Sequence, residues 1–242
     1  GYGMGNYKDN KMQILADKGN GNHAYIDNMS EAKKVLVSEF GGTMFTIAKD
    51  VKLQVEFNPS KVQAYRLIGY ENRMLNKEDF NNDKKDAGEM GSGHIVTALY
   101  EVIPVGVKSD FVEKVDALKY QKNSGDINNH SPELMTVKFR YKNPDADVSK
   151  LIEHAVSDEH IALRNTSDNF RFAAAVAQFG MLLRDSEFKQ NASFNNTLSL
   201  ASSALGSDEE GYRKEFVQLV QKAGGLAKKI SKNKRDDIAG RE

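Results

Sequence analysis

The stretch VKLQVEF at residues 51–57 alternates strictly between apolar and polar side chains. Because successive side chains of a strand point to opposite faces, this alternation predicts a half-buried antiparallel strand. Asn58 and Pro59 end the strand. Strand-like patterns joined by long loops recur at residues 62–70, 94–104 and 134–141. We therefore predict a small antiparallel β-sandwich over residues 43–148.

Helical periodicity replaces the strand pattern from about residue 149. Ser167 is a good N-cap for a helix over residues 168–184, and alanines occupy the faces beside its apolar stripe. We expect this helix to be buried nearly all round. The stripe consists of Phe172, Val176, Phe179 and Leu183. With two further helices, at about residues 193–205 and after residue 208, residues 149–242 form a predicted helical C-terminal domain.

The first 42 residues follow a third pattern, a strand end followed by a helix, a strand and a helix. We place these elements at residues 1–5, 9–18, 23–27 and 31–40, with Gly41 and Gly42 as the final helix cap. This order is typical of a parallel sheet with crossover helices. About 40 residues cannot complete such a sheet, so we interpret the segment as the end of an α/β domain that begins upstream. The complete prediction is an α+β fold.

An incomplete α/β segment leaves strand edges and apolar side chains without cover. Leu15, Val35 and Leu36 are the residues affected. Open edges and uncovered apolar area recruit another chain. We therefore predict a homodimer formed through residues 1–42, by strand addition or swapping.

The composition excludes several classes of protein. Lys and Arg total 34, as do Asp and Glu, so the chain lacks the basic excess of a nucleic-acid-binding protein. The absence of cysteine excludes disulfides, thiolate metal ligands and a cysteine nucleophile. The longest apolar run, residues 172–183, contains Gln178 and is too short to cross a bilayer.

Several segments resemble bacterial envelope proteins in which a von Willebrand factor type A domain precedes a C-terminal domain of unknown function. Three segments resemble the end of the von Willebrand A domain: GMGNYKD at residues 3–9, LADKGNG at 15–21 and AYID at 24–27. Six further segments resemble the C-terminal domain of these proteins. They are FTIAKDV at 45–51, VEFNP at 55–59, YRLIGYENR at 65–73, TALYE at 97–101, FAAAVAQFG at 172–180 and YRKEFV at 212–217.

This resemblance implies a location in the cell envelope, either periplasmic or membrane-anchored outside the cytoplasm. Von Willebrand A domains bind partners through Mg²⁺ held by an Asp-x-Ser-x-Ser motif together with oxygen ligands from other loops. The present sequence contains no such motif. We therefore expect no metal or other cofactor on these residues, and expect Mg²⁺ only in the part of the von Willebrand A domain upstream of Gly1.

The acidic loop at residues 79–89 invites a comparison with calcium-binding loops. Asp79, Asn81 and Asp83 match the first three ligand positions of an EF-hand. Lys84 then stands where the turn requires glycine, and Met90 stands where the bidentate glutamate belongs. We interpret the segment as a solvated hairpin loop with local Asx turns, and expect calorimetry to detect neither Mg²⁺ nor Ca²⁺ binding.

No catalytic motif is evident in the sequence. The histidines lack the spacing of a zinc-binding HExxH helix, and no Gly-x-Ser-x-Gly nucleophile elbow is present. A metal site is one interpretation of residues 153–160, and a polar connector, which we favour, is the other. The residues concerned are His154 and His160 with Glu153, Asp158 and Glu159; the other histidines are His23, His94 and His130.

The aromatic and basic stretch YRLIGYENR supplies the candidate site residues Tyr65, Arg66, Tyr70 and Arg73. Tyrosine and arginine are enriched at protein interfaces, which makes these residues candidates for contact with a partner. The alternative is structural, with Arg66 paired to a carboxylate such as Glu101 and tying two strands together. We favour the structural interpretation.

These features favour a non-enzymatic module for protein interaction or assembly, with a protein partner and no nucleic acid. A hydrolase whose site lies between the sandwich and the helical domain is the alternative. Converging carboxylates or histidines with shifted pKa values would favour that alternative.

Overall fold

The computed structural model describes residues 7–19, 21–70, 74–112 and 131–239 of the 242-residue chain, and describes residues 231–239 as helix backbone. The described residues form an α+β fold with antiparallel sheets, which confirms the predicted class. The chain divides into two compact units. The first takes residues 1–65, 70–96 and 102–158, and the second takes residues 66–69, 97–101 and 159–242.

The first unit begins with short helices. Helix α1 (Asp9–Lys18) matches the prediction. Helix α2 (Met29–Lys33) continues into a π-helical turn (Lys34–Ser38) and then α3 (Phe40–Met44). Gly41 and Gly42 therefore lie inside α3, and the prediction that they cap the preceding helix is wrong.

The strand predicted at residues 23–27 is also absent. Only an isolated bridge at Ile26 is present there. A strand needs a paired ladder along its length, and no described strand runs beside these residues. The predicted strand end at residues 1–5 lies outside the described residues.

A four-stranded antiparallel sheet forms the centre of the first unit. Its strands are β1 (Thr46–Phe57), β3 (Gly88–Gly91), β5 (Glu133–Lys142) and β6 (Lys150–Ser157), in the order β3-β1-β5-β6. Leu53 lies opposite Phe139 and Val55 opposite Val137, so the alternating patterns of β1 and β5 are in register. Strand β6 corrects the prediction that helical structure begins at about residue 149.

Strands β2 (Val62–Ile68) and β4 (Leu99–Pro104) form a separate two-stranded sheet. The predicted strand at residues 62–70 ends early because Gly69 and Tyr70 both have positive φ angles, 76° and 63°. Tyrosine rarely adopts this left-handed conformation, so the chain turns sharply here. The strand predicted at residues 94–104 begins only at Leu99.

Gly91 in β3 permits a close approach of two backbone segments. A Cβ atom at this position would lie 1.5 Å from the backbone oxygen of Gly42, whereas a Cβ at Gly88, in the same strand, would meet nothing within 4 Å. Gly91→Ala must therefore displace main-chain atoms, and we expect it to cost roughly 1–3 kcal/mol of unfolding free energy. Urea denaturation of both variants tests this, and an equal effect of Gly88→Ala would contradict it.

The second unit contains three longer helices, α4 (Asp168–Leu183), α5 (Phe194–Ser202) and α6 (Tyr212–Ala239). The predicted N-cap is confirmed, because the Ser167 hydroxyl oxygen accepts a hydrogen bond from the Phe170 N–H at 3.2 Å. Ser193 caps α5 in the same way at 3.1 Å. Each cap satisfies a backbone donor that the first turn of a helix leaves unpaired.

The core of the second unit is formed where α4 and α5 pack together and where α5 and α6 pack together. Its buried residues are Ala175, Phe179, Thr197, Ala201, Ala204 and Val220. Helix α4 is not buried all round, because Phe170, Val176 and Leu183 are largely exposed, so that expectation was wrong. The alanines make the helix apolar on several sides. Because alanine is small, each of these sides need not be buried by a neighbouring element.

Two neighbouring glycines of α6 allow a matched test of this packing. A Cβ atom on Gly224 would lie 3.0 Å from Cβ of Phe194, whereas Gly225 faces open space. Alanine is favoured over glycine inside a helix by about 0.8–1 kcal/mol. We expect Gly225→Ala to raise the thermal midpoint, and the contact with Phe194 to cancel that gain in Gly224→Ala. Equal stabilisation in thermal denaturation would show that α5 and α6 are less closely packed.

Candidate functional site

The apolar surface, as we call it, is a group of exposed apolar side chains between the π-helical turn and the start of β1. Each of its members is between 51% and 67% exposed. They are Leu36, Val37, Phe40, Met44, Phe45 and Ile47. Isolated exposed apolar residues are ordinary, but a contiguous group on a folded domain marks an interaction site.

The local backbone explains how these side chains come together. Leu36 lies in the π-helical turn. Phe40 and Met44 are four residues apart in α3, a spacing that places them on successive turns along one side of that helix. The Ser92 N–H donates to the Phe45 carbonyl oxygen at 2.8 Å and fixes the end of the segment against the β3 turn. The exposure predicted for Leu15 and Leu36 is confirmed, whereas Val35 is half-buried.

Of the four predicted site residues, the structure describes Tyr65, Arg66 and Tyr70. Tyr65 packs its ring against Phe57, with 4.5 Å between centroids, and Tyr70 lies at the sharp turn after β2. Arg73 lies outside the described residues. Arg66 takes part in a network of side-chain contacts within the second unit.

Arg66 forms the ion pair that the structural interpretation predicts. Its Nε atom donates to Oε2 of Glu101 at 2.7 Å, and its second guanidinium nitrogen lies 2.5 Å from the same oxygen. The guanidinium also stands 4.2 Å from the Phe188 ring centroid and contacts the Met181 sulfur. Gln190 donates to the other Glu101 oxygen at 3.3 Å. Arg66 thus links β2 and β4 to side chains of the helical region inside the second unit.

The acidic loop differs from the solvated hairpin that the sequence predicts. Phe80 is buried, and the loop covers the polar face of the four-stranded sheet. The Lys52 ammonium, 3% exposed as a residue, donates to the carbonyl oxygens of Asp79 at 3.1 Å and Asn82 at 2.5 Å. The predicted Asx turn is present, because the Asn82 side-chain oxygen accepts from the Lys84 N–H at 3.0 Å.

A second buried lysine extends this arrangement. Lys142 donates to the Asp50 carboxylate at 2.7 Å and to the Asp83 carbonyl oxygen at 2.6 Å. The hydrogen bond to Asp50 raises the pKa of Lys142, against the opposing effect of burial. Hydrogen bonds from Ser149 lower the pKa of Asp83. Two ammonium groups thus bind loop carbonyl oxygens of the kind that a bound cation would use.

Sequence reasoning missed both lysines as structural residues. On an alternating strand a lysine normally marks the solvent face, and the pattern carries no sign that a loop covers it. The only available signal was the acidic character of the loop, which complements the lysines and arginine of β1 and β5.

An open polar depression of about 630 Å³ lies where α4 and α6 begin, in the second unit. Several of its polar groups are engaged in hydrogen bonds within the unit. The Asp208 carboxylate accepts from the Arg213 and Lys214 N–H groups at 2.9 Å each, and the Arg213 side chain donates to the Ala204 carbonyl oxygen and to Asn169. Burial raises the pKa of Asp208, but these hydrogen bonds and the nearby positive charges outweigh it and lower the pKa. The depression therefore has a structural explanation.

Two further features bear on the expectations from sequence. In the part of the chain that the structure describes, no three or more His, Asp or Glu side chains are grouped so as to hold a metal ion. Asp158, named in the metal alternative, pairs with Lys61 at 2.9 Å. Within the same described residues, no helix combines the length and apolarity needed to cross a membrane. The expected absence of bound Mg²⁺ and Ca²⁺ stays a prediction.

The fold and its exposed surface define an α+β domain with a candidate protein-interaction site and no recognisable catalytic motif. Residues 42–226 match the family described as "Uncharacterized protein YfbK, C-terminal", and the chain belongs to that family. It is 42% identical over 227 residues to the uncharacterized protein YfbK of Escherichia coli (strain K12), covering 93% of this chain and 38% of the relative. No solved structure matches the chain.

These matches refine the resemblance drawn from the sequence. They show the C-terminal domain family over residues 42–226, which include both sheets, α4, α5 and the first part of α6. The family match begins at residue 42, so it leaves the assignment of residues 1–42 to a von Willebrand A domain as a prediction. The chain spans 38% of the length of its E. coli relative, whose name assigns no activity.

Proposed function

We propose that this chain is a non-enzymatic protein-interaction or assembly module of a bacterial cell-envelope von Willebrand A protein, and that its partner contacts the apolar surface. The exposure of Leu36, Phe40 and Met44 within one short stretch of the chain carries the proposal. Burying such a group against another protein removes apolar area from water, which is the main favourable contribution to protein association.

The geometry also suits a helical docking mode. Phe40 and Met44, one turn apart on α3, present an apolar ridge that fits a groove or a second helix. A second copy of the chain is the first partner to test, because the same ridge on two copies can form an isologous contact. The hydrolase alternative has no comparable feature in its favour among the described residues.

Replacing both Leu36 and Phe40 with glutamine tests the proposal. Glutamine keeps helix propensity and removes the apolar ridge. The control is Ile152→Thr, since Ile152 is also half-exposed but lies in β6, at the sheet edge opposite β3. Light scattering over a concentration series measures self-association, and quantitative affinity capture from envelope extract measures other partners.

We expect the double variant to lose self-association, or to lose a captured protein, that both the wild type and the control retain. A wild-type chain that stays monomeric and captures the same proteins as the double variant would contradict the proposal. Circular dichroism of each variant establishes that the fold is intact before either measurement is interpreted.

A further inference from the structure

Helix α6 has an exposed apolar stripe in addition to the side that packs into the second unit. The packed side includes Val220, which is fully buried, and Phe216, whose ring lies 5.2 Å from that of Phe172 and 5.4 Å from that of Phe179. Gly224 lies against Phe194 on the same side. These contacts account for the attachment of α6 to its unit without using the exposed stripe.

The exposed stripe consists of Leu219, Leu226 and Ile230, which are 53%, 61% and 59% exposed. At 3.6 residues per turn, their positions fall within about 40° of one another around the helix axis. The stripe extends over about 16 Å at 1.5 Å per residue. Large aliphatic side chains aligned in this way form a continuous ridge. The packing of α6 in its unit does not use this ridge, which leaves it free to contact another surface.

Basic side chains accompany this ridge. Between residues 214 and 230 the helix carries four exposed lysines and a single glutamate, Glu215. By the same helical geometry, Lys222 and Lys229 project about 60–80° from the centre of the ridge, on the side away from the packed face. Glu215 projects on that side as well, about 40° from the ridge centre, at the N-terminal end of the ridge. The other two are Lys214 and Lys228. Lys214 and Lys228 project about 140–180° from the ridge, so the exposed part of α6 is apolar along one line with two lysines and one glutamate beside it.

We propose that this face of α6 binds the surface of an anionic lipid bilayer, with Leu219, Leu226 and Ile230 inserted at the boundary between headgroups and acyl chains. An amphipathic helix that lies in the interface plane combines aliphatic side chains with lysines in this manner. Lysines near an anionic membrane add an attraction that salt screens. The inference rests on α6 alone and is independent of the function proposed for the apolar surface.

Two other occupants fit the face less well. A specific protein interface buries about 800 Å² on each partner, far more than three half-exposed aliphatic side chains supply. A second copy would bring a second set of lysines to the same place, and like charges at close range repel. A bilayer meets neither difficulty, since it is flat, extended and negatively charged.

Co-sedimentation of the 242-residue chain with vesicles tests the proposal. Phosphatidylcholine vesicles serve as the neutral surface, and phosphatidylcholine mixed with phosphatidylglycerol serves as the anionic one. The variant is Leu226→Gln with Ile230→Gln, which keeps helix propensity. The matched control is Leu183→Gln, because Leu183 is as exposed as Leu226 but lies in α4. A second variant, Lys222→Gln with Lys229→Gln, tests the charges.

We expect binding to the anionic vesicles alone, weakened by salt, and a roughly tenfold loss of binding in each α6 variant but not in the control. Equal binding to both kinds of vesicle, or equal loss in the Leu183→Gln control, would overturn the proposal. So would an absence of vesicle binding at low salt. If the chain self-associated without binding vesicles, and the variant with Leu226→Gln and Ile230→Gln lost that self-association, the face would instead be an interface between copies, which would also overturn the proposal.

Discussion

Phe179→Ala is expected to lower the free energy of unfolding of the second unit by about 3–5 kcal/mol, the range for removing a buried aromatic ring. Phe179 is 6% exposed, and its ring makes edge contacts with Phe194 of α5, at 6.2 Å between centroids, and Phe216 of α6, at 5.4 Å. The ring therefore contributes to both helix contacts of α4. Alanine would leave a cavity at the place where all three helices meet.

The matched control is Phe170→Ala, because Phe170 lies in the same helix but is 46% exposed. We expect that change to cost less than about 1 kcal/mol, as for most surface substitutions. Urea denaturation followed by circular dichroism measures both variants, and hydrogen exchange of peptides from α4, α5 and α6 locates the loss. A cost below about 1 kcal/mol for Phe179→Ala would show that α4 is peripheral in its unit.

The sequence predicts α4 well because its signals are local. Ser167 is a capping residue at the right place, and the apolar side chains recur at helical spacing, so both the start and the packed side follow from the sequence. The extent of burial does not follow, because it depends on how many neighbours the helix has. Gln178, which interrupts the apolar run, accepts a hydrogen bond from Thr197 of α5 at 2.8 Å. Only the packing of α4 on α5 explains that residue.

The strands show the same distinction between local and distant causes. Strands β1 and β5 alternate strictly and were predicted within five residues of their observed bounds. Strand β3 has four residues, two of them glycine, and pairs with β1 across two irregularities in register. Strand β6 is exposed along most of its length, so its sequence lacks a clear apolar face. Both exist because a neighbouring strand supplies their hydrogen bonds.

The candidate site divides in the same way. The exposure of Leu36 follows from an α/β segment that cannot cover its own apolar residues, and the Arg66–Glu101 pair follows from two strands with complementary charges. The extension of the apolar surface to Phe40 and Met44 does not follow, because Gly41 and Gly42 signal a helix end, whereas the structure continues the helical segment through them. The preference of glycine for the end of a helix is a weak local propensity, and tertiary context can override it.

The buried lysine of β1 is the residue whose replacement should affect the first unit most. Lys52→Met is expected to lower the free energy of unfolding by about 3 kcal/mol, because a hydrogen bond to a charged group contributes roughly 1.5–3 kcal/mol. Lys52 makes two such bonds, to the carbonyl oxygens of Asp79 and Asn82. Methionine keeps most of the side-chain volume but donates no hydrogen bond, so the two carbonyl groups lose their ammonium partner.

The effect should be local as well as energetic, because these carbonyl groups belong to the loop that covers the polar face of the sheet. We expect faster hydrogen exchange in the peptide containing residues 77–87 of Lys52→Met, together with a lower urea midpoint. The control is Lys84→Met, which removes an exposed lysine from the same loop and should change stability by no more than about 0.5 kcal/mol. If Lys52→Met were as stable as that control, water would satisfy the loop carbonyl groups equally well. The ammonium group would then not be what holds the acidic loop on the sheet.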